Sequence, residues 1–167
     1  IPQLLAMLDI KGSTVTIDSM GCQTAIAEQI RAQKGHYLLG LKGNQSGLEK
    51  DMKSLFDEAA NVDFKGVKHS TYETTESGHG RKDQRIYVAM AIPKEHPQRK
   101  RWKDLKTLLV LGSARIAKDG SEVWEQRMYI SDRSPDAREL GTAVRGHWKI
   151  ENTLHWSLDV TFHEDAQ

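Results

Sequence analysis

Between Thr14 and Leu41 the chain reads as strand, helix, strand, and this pattern narrows its fold more than any other stretch. Thr14 to Met20, TVTIDSM, is β-branched and alternating, with Val15 and Ile17 on one side and Thr14, Thr16 and Asp18 on the other. Gly21 turns the chain, and Ala25, Ile26, Gln29, Ile30 and Gln33 then recur at helical spacing until Lys34-Gly35 closes the helix. Tyr37 to Leu41 is a second apolar strand, followed by Lys42-Gly43-Asn44. Strands joined through a helix run parallel, with a right-handed crossover. In open α/β sheets a ligand sits beyond the carboxyl ends of the strands, which is where Asp18, Lys42 and Asn44 are predicted to lie. On position alone, Asp18 is as well read as a cap of the helix that follows it.

A second stretch, Val144 to Asp165, raises a question of charge. Ser134-Pro135-Asp136 supplies a helix start, and Val144, Trp148, Leu154, Leu158 and Phe162 recur at three- and four-residue steps. Glu151 falls in the middle of that apolar face, with His147 and His155 one turn to either side. An unpaired charge buried there costs several kcal/mol or forces protonation, so something compensates it. A buried ion pair, a His-Glu-His metal site at i, i+4 and i+8, and a metal shared with a distant carboxylate all remain open.

The intervening chain changes character. Ser46 to Ala60 places Leu48, Met52, Leu55, Phe56 and Ala59 on one side of a helix. Tyr72 to Glu76 and Arg81 to Met90, around Ser77-Gly78-His79-Gly80, form one expected hairpin; Thr107 to Ile116 and Glu122 to Ile130, around Lys118-Asp119-Gly120, form another. Pro93 to Lys103 is expected to be a polar, basic, exposed connection. Pro2 to Leu8 is expected to be the last turns of a helix packed on a sheet.

Bulk charge decides little, because 24 basic and 23 acidic residues nearly cancel. Distribution says more: Lys94 to Lys106 is basic and Asp51 to Asp63 acidic, both ordinary as solvated surface. The single cysteine, Cys22, excludes an internal disulfide and a Cys-rich metal site. No apolar run reaches the ~18 residues of a membrane span and no secretory signal is present, so a cytoplasmic location is expected. Ile1 and Gln167 both read as cut from something longer.

Four blocks taken in order, TIDSMGCQ at Thr16 to Gln23, LKGNQ at Leu41 to Gln45, ESGHGR at Glu76 to Arg81, and VRGHWKIENTLHWSLDVTFHEDA at Val144 to Ala166, resemble the catalytic part of bacterial insertion-sequence transposases of the DDE superfamily, H-repeat-associated type. The resemblance implies an α/β fold: an RNase H-like mixed sheet with flanking helices and a β-rich insertion before the last catalytic helix. It divides the chain into a partial core over 1–62, the insertion over 63–133 and the catalytic helix over 134–167. It also makes Asp18 the second Asp and Glu151 the Glu of a catalytic triad, holding two Mg²⁺ ions for which Mn²⁺ substitutes.

The implied function is metal-dependent DNA cleavage and strand transfer during transposition. The first Asp of the triad belongs to a block upstream of Ile1, so this stretch is expected to be inactive by itself. Where related transposases place Tyr, Arg and Lys around the Glu, this chain has Val144, His147 and Leu158. The expected DNA contacts are Lys42 and Asn44 beside the site, Arg81 and Arg85 on the first hairpin, and Arg145, His147 and Lys149 on the last helix, mostly to phosphate. The implied partners are transposon-end and target DNA, with a second copy of the chain as a further candidate and a nucleoid-associated location. Two rivals stand beside this reading: a degenerate relative that binds DNA or regulates without chemistry, and an RNase H-like nuclease that hydrolyses without transfer.

Overall fold

The computed structural model describes residues 1–78 and 81–150. The strand–helix–strand pattern is realised as β1 (Thr14–Ile17), α2 (Thr24–Ala32) and β2 (His36–Leu41), preceded by the short helix α1 (Pro2–Met7). β1 and β2 pair in parallel, with Val15 opposite Tyr37 and Ile17 opposite Leu39. Then follow α3 (Ser46–Asn61), β3 (His69–Gly78), β4 (Arg81–Ala91), the single-turn α4 (Gln98–Arg101), β5 (Thr107–Ala117), β6 (Glu122–Ser131) and α5 (Ala137–Ile150).

All six strands join one mixed sheet in the order β1-β2-β6-β5-β4-β3, antiparallel beyond β2. The fold is α/β and consistent with an RNase H-like architecture. Both expected hairpins form, β3 with β4 and β5 with β6. The later strand of the second hairpin closes the gap: β6 docks on β2, with Leu38 opposite Ser131 and Leu41 opposite Met128. Residues 63–133 therefore extend the β1–β2 sheet instead of making a sheet of their own.

The alternation of β2 divides the interior. Tyr37, Leu39 and Leu41 face a core shared with Ile26 and Ile30 of α2 and Leu48 and Met52 of α3. Leu38 faces the other way, joining Tyr87, Leu109, Leu111 and Tyr129 beneath Ala137, Leu140 and Val144 of α5. Layering is thus helices α2 and α3, sheet, helix α5. Over its described turns α5 sets Ala137, Leu140, Val144 and Trp148 on one face, whereas Leu154, Leu158 and Phe162, expected to continue that face, and His155 lie outside the described residues. Asp136 caps the helix by accepting from the Glu139 amide at 2.9 Å.

One expectation needs correction. The Pro93–Lys103 connection is not simply exposed, because Trp102 is 2% exposed and inserts into the α2–α3 core beside Leu105. Gln98 is buried too and donates to Asp51 at 2.7 Å, while Arg99 donates to the Ile92 carbonyl. The six Lys and Arg of Lys94–Lys106 thus sit on a segment pinned by an indole, whose large apolar area outweighs the polarity of its neighbours. α1 packs on α2, where Gln29 donates to the Pro2 carbonyl at 2.8 Å, and Leu5, its one buried side chain, joins the core that covers β1 and β2. None of the described helices is long and apolar enough to cross a membrane.

Candidate active site

β1 ends at Ile17, and Asp18 is the first residue beyond it, at the carboxyl end of the parallel pair. A 3-10 turn, Ser19–Gly21, follows immediately, and the Asp18 carboxylate caps it by accepting from the Ser19 amide. The cap role and the site position are therefore not alternatives; one carboxylate oxygen serves the turn while the residue lines a cleft of about 340 Å³. That cleft lies between the carboxyl ends of β1 and β2, the inner end of β6 and the face of α5, and its lining includes Lys42, Arg127, Tyr129, His147 and Trp148.

α5 is tied to the β1 side of this cleft. Thr16 stands on the side of β1 opposite Val15 and Ile17, and its Oγ1 lies 3.2 Å from Nδ1 of His147. One residue on, Trp148 packs against the core beneath α5. The Arg127 guanidinium carbon lies 4.1 Å from the Trp148 ring centroid, a cation–π contact. Tyr129 lies beside them; burial pushes its hydroxyl up, while hydrogen bonds from Trp148 and Arg127 and the Arg127 charge work against the shift. The negative charge of Asp18 adds to the upward push, which places Tyr129 and Asp18 within electrostatic reach across the cleft.

The structure brings Asp18, Lys42 and His147 to one cleft. Lys42 precedes a 3-10 turn, Gly43–Gln45, and is exposed. Asn44 lies within that turn and Arg81 begins β4, but their side chains are outside the described set, as are all atoms of Glu151. Arg85 and Arg145 are not at the cleft mouth. They converge on Glu76 from two elements: Arg145 reaches its two oxygens at 2.9 and 3.0 Å, and Arg85 donates to one of them at 3.0 Å. Lys149 is exposed on the last described turn of α5.

Residues that sequence reading missed are Thr16, Glu125, Arg127 and Tyr129. The period of two along β6 puts Glu125, Arg127 and Tyr129 on one side, which is a findable signal; nothing local shows that this side faces Asp18.

A hard divalent cation takes oxygen ligands, carboxylates above all, and Asp18 offers one at the cleft. Among the described residues no group of three His, Cys, Asp or Glu is placed to hold a metal ion. Asp18 is thus one carboxylate donor at the cleft among the described residues.

The chain belongs to the Transposase DDE domain family, which it matches over residues 1–167. It is 42% identical over 99% of its length to the candidate transposase YncI of Escherichia coli O157:H7, and 41% identical over 99% to the H repeat-associated candidate transposase YhhI of Escherichia coli K12. Over 57% of its length it is 42% identical to YbfD of the same strain, also named as an H repeat-associated candidate transposase. The chain spans 43% of YncI and 44% of YhhI. No solved structure matches it.

Proposed function

We propose that this chain is part of the catalytic region of an insertion-sequence transposase that cleaves and joins DNA, with Asp18 and Glu151 as metal-ligating carboxylates. The observation that carries the reading is the place of Asp18: first residue after β1, opening on a cleft whose wall is α5, a helix described to Ile150 and followed in sequence by Glu151. Residues 1–62 and 134–167 are then the core and 63–133 the insertion. Support comes from β6, which returns to pair with β2 immediately before α5 begins.

Held by these carboxylates, divalent cations such as Mg²⁺ or Mn²⁺ would supply Lewis-acid activation of the attacking oxygen and stabilisation of the leaving oxygen. The chain's own residues set the stage. Asp18 presents a carboxylate fixed by its turn, so little reorganisation is needed to take a cation. Lys42, exposed at the cleft, places a positive charge where a phosphodiester would enter. The Thr16–His147 contact holds the start of the Glu151 segment against β1. Trp148 and Tyr129 give the cleft an apolar wall, which lowers its dielectric and strengthens each charge interaction inside it.

The test is Mg²⁺-dependent nicking of duplex DNA carrying the element's ends, by the whole protein that contains this chain. Asp18→Asn is expected to lose cleavage to the detection limit while DNA affinity is kept. Cleavage that survives Asp18→Asn rules the assignment out.

A further inference from the structure

A second cleft, of about 170 Å³, lies on the α5 side of the outer strands. It shares Arg127, Glu125, Val144 and Trp148 with the cleft at Asp18, so the two adjoin. Four guanidiniums line it, from Arg85 of β4, Arg115 of β5, Arg127 of β6 and Arg145 of α5. Each faces a carboxylate: Arg145 and Arg85 hold Glu76, Arg115 and Arg85 approach Asp83 at 3.6 Å, and Arg127 holds Glu125 at 2.8 Å.

Glu76 is the telling member. Its two oxygens receive two guanidiniums from different elements, one on the sheet and one on the helix, and its side chain is still 51% exposed. Paired arginines converging on two oxygens of one anion are also how a phosphodiester is gripped. Ion pairs to so exposed a carboxylate contribute little, so an incoming phosphate displaces it at small cost. A second observation points the same way. Tyr87 lines this cleft with a hydroxyl that is fully buried and has no hydrogen-bond partner among the described residues. Buried hydroxyls are normally satisfied, and a polar ligand atom would satisfy this one.

We propose that Arg85 and Arg145 form a phosphodiester-binding site that Glu76 occupies in the free protein, and that Arg115 and Arg127 continue it as a track leading a nucleic-acid backbone to the Asp18 cleft. This rests on the reading that the protein acts on DNA and adds where the strand runs and what holds its place beforehand. Glu76 then has a defined function: it keeps both guanidiniums aimed and lowers affinity for stray anions.

The experiment is fluorescence-anisotropy binding of a labelled DNA duplex by the whole protein across a salt series, without divalent cation. Glu76→Gln is expected to tighten binding roughly threefold or more, because the competing charge is gone while the side-chain length is kept. Arg85→Gln with Arg145→Gln is expected to weaken binding and to reduce the slope of log K against log salt by about 2. In that double variant, adding Glu76→Gln is expected to give no further gain. Thermal melts check that each variant folds, as is expected for these partly exposed pairs. Unchanged or weaker binding by Glu76→Gln, or an unchanged slope in the arginine double variant, overturns the proposal. Failure of the parent protein to bind DNA in a salt-dependent way overturns the wider reading and this proposal together, whereas normal parental binding with an inert Glu76→Gln overturns this proposal alone.

Discussion

Thr16 on β1 and His147 on α5, 131 residues apart in sequence, meet with Oγ1 and Nδ1 separated by 3.2 Å. The contact joins the strand that precedes Asp18 to helix α5 on the far wall of the cleft. A threonine hydroxyl both donates and accepts, so the pair can remain bonded whichever ring nitrogen carries the proton. Thr16→Val keeps the shape and removes the bond; it is expected to lower stability by about 0.5–1.5 kcal/mol, read from chemical denaturation. Thr16→Val and His147→Ala together are expected to cost less than the sum of the two, since they remove one shared interaction. Additive losses would show that the contact carries no energy of its own.

Gly141 sets how closely α5 lies on the sheet. A Cβ built there would stand 2.9 Å from Cδ1 and 3.0 Å from Cγ of the Tyr87 ring. Tyr87 is fully buried, and these are ring atoms near its root, so the ring cannot swing aside. Alanine favours helix over glycine by about 1 kcal/mol, yet overpacking a filled core costs about 1–3 kcal/mol. Gly141→Ala is therefore expected to destabilise by up to about 2 kcal/mol, measured by urea unfolding, with Tyr87→Leu in the same chain relieving part of the loss. A stabilised Gly141→Ala variant would mean that α5 sits further from the sheet.

How much of this was legible in the chain depends on the range of the interaction. The face of α5 was readable because Val144 and Trp148 repeat at helical spacing, and the two sides of β1 were readable because Val15 and Ile17 alternate with Thr14 and Thr16. Both hairpins were readable from their turn residues. The docking of β6 beside β2 was not, because the match between Leu38–Leu41 and Met128–Ser131 depends on two apolar strands with no local mark of partnership. Trp102 was misplaced for the opposite reason: its neighbours are basic, and one buried indole overrode them. Arg85 and Arg145 were legible as cations, but not as a pair sharing Glu76, since Arg145 and Glu76 are 69 residues apart.

Asp104 is a source of mild acid sensitivity. A hydrogen bond from Arg31, at 3.0 Å, holds its carboxyl below the ordinary 3.8, aided by the Arg31 charge and opposed by slight burial. A depressed acid contributes stability that is fully present above its unfolded value and is lost as pH falls through the lower folded value. The loss therefore begins below about pH 4. The group is 40% exposed, so the contribution is small and weakens with salt. Asp104→Asn suits the site, because Asn tolerates the positive φ of 56° found there. Its melting temperature is expected to fall less steeply than the parent's between pH 4 and 2.

Cys22 is expected to be inert. Burial pushes its thiol up to about 12, and the side chain is fully enclosed in the core beneath α2 and α3. Since the thiolate is the reactive species, iodoacetamide at pH 8 is expected to leave the native protein unmodified for hours and to alkylate it fully in denaturant. Rapid native labelling, followed by mass spectrometry, would reveal that this part of the core opens on a short timescale.

Asp132 is where the helical side of the sheet is locked to its β-rich extension. It directly follows β6, its side chain is fully buried, and it accepts from the Tyr37 amide at 2.7 Å. The same carboxylate meets His36 Nδ1 at 2.6 Å and Arg31 Nη1 at 3.0 Å, so α2, β2 and the end of β6 share one charge. The adjacent Ser131 hydroxyl donates to the Tyr37 carbonyl at 2.6 Å and extends the clasp. Removing the carboxylate strands a buried amide and leaves Arg31, among the described residues, with Asp104 as its ionic partner. Breaking a fully buried pair costs about 3–5 kcal/mol, but Arg31 and His36 keep some access to water, so Asp132→Ala is expected to cost about 2–4 kcal/mol. Asp132→Asn keeps an acceptor for the Tyr37 amide and loses the charge; it is expected to recover about half of that. Hydrogen exchange of the Tyr37 and Leu38 amides gives the local reading: both are expected to lose protection in Asp132→Ala before the centre of β5 does. Uniform loss along all six strands would place the effect in global stability and not at the seam between β2 and β6.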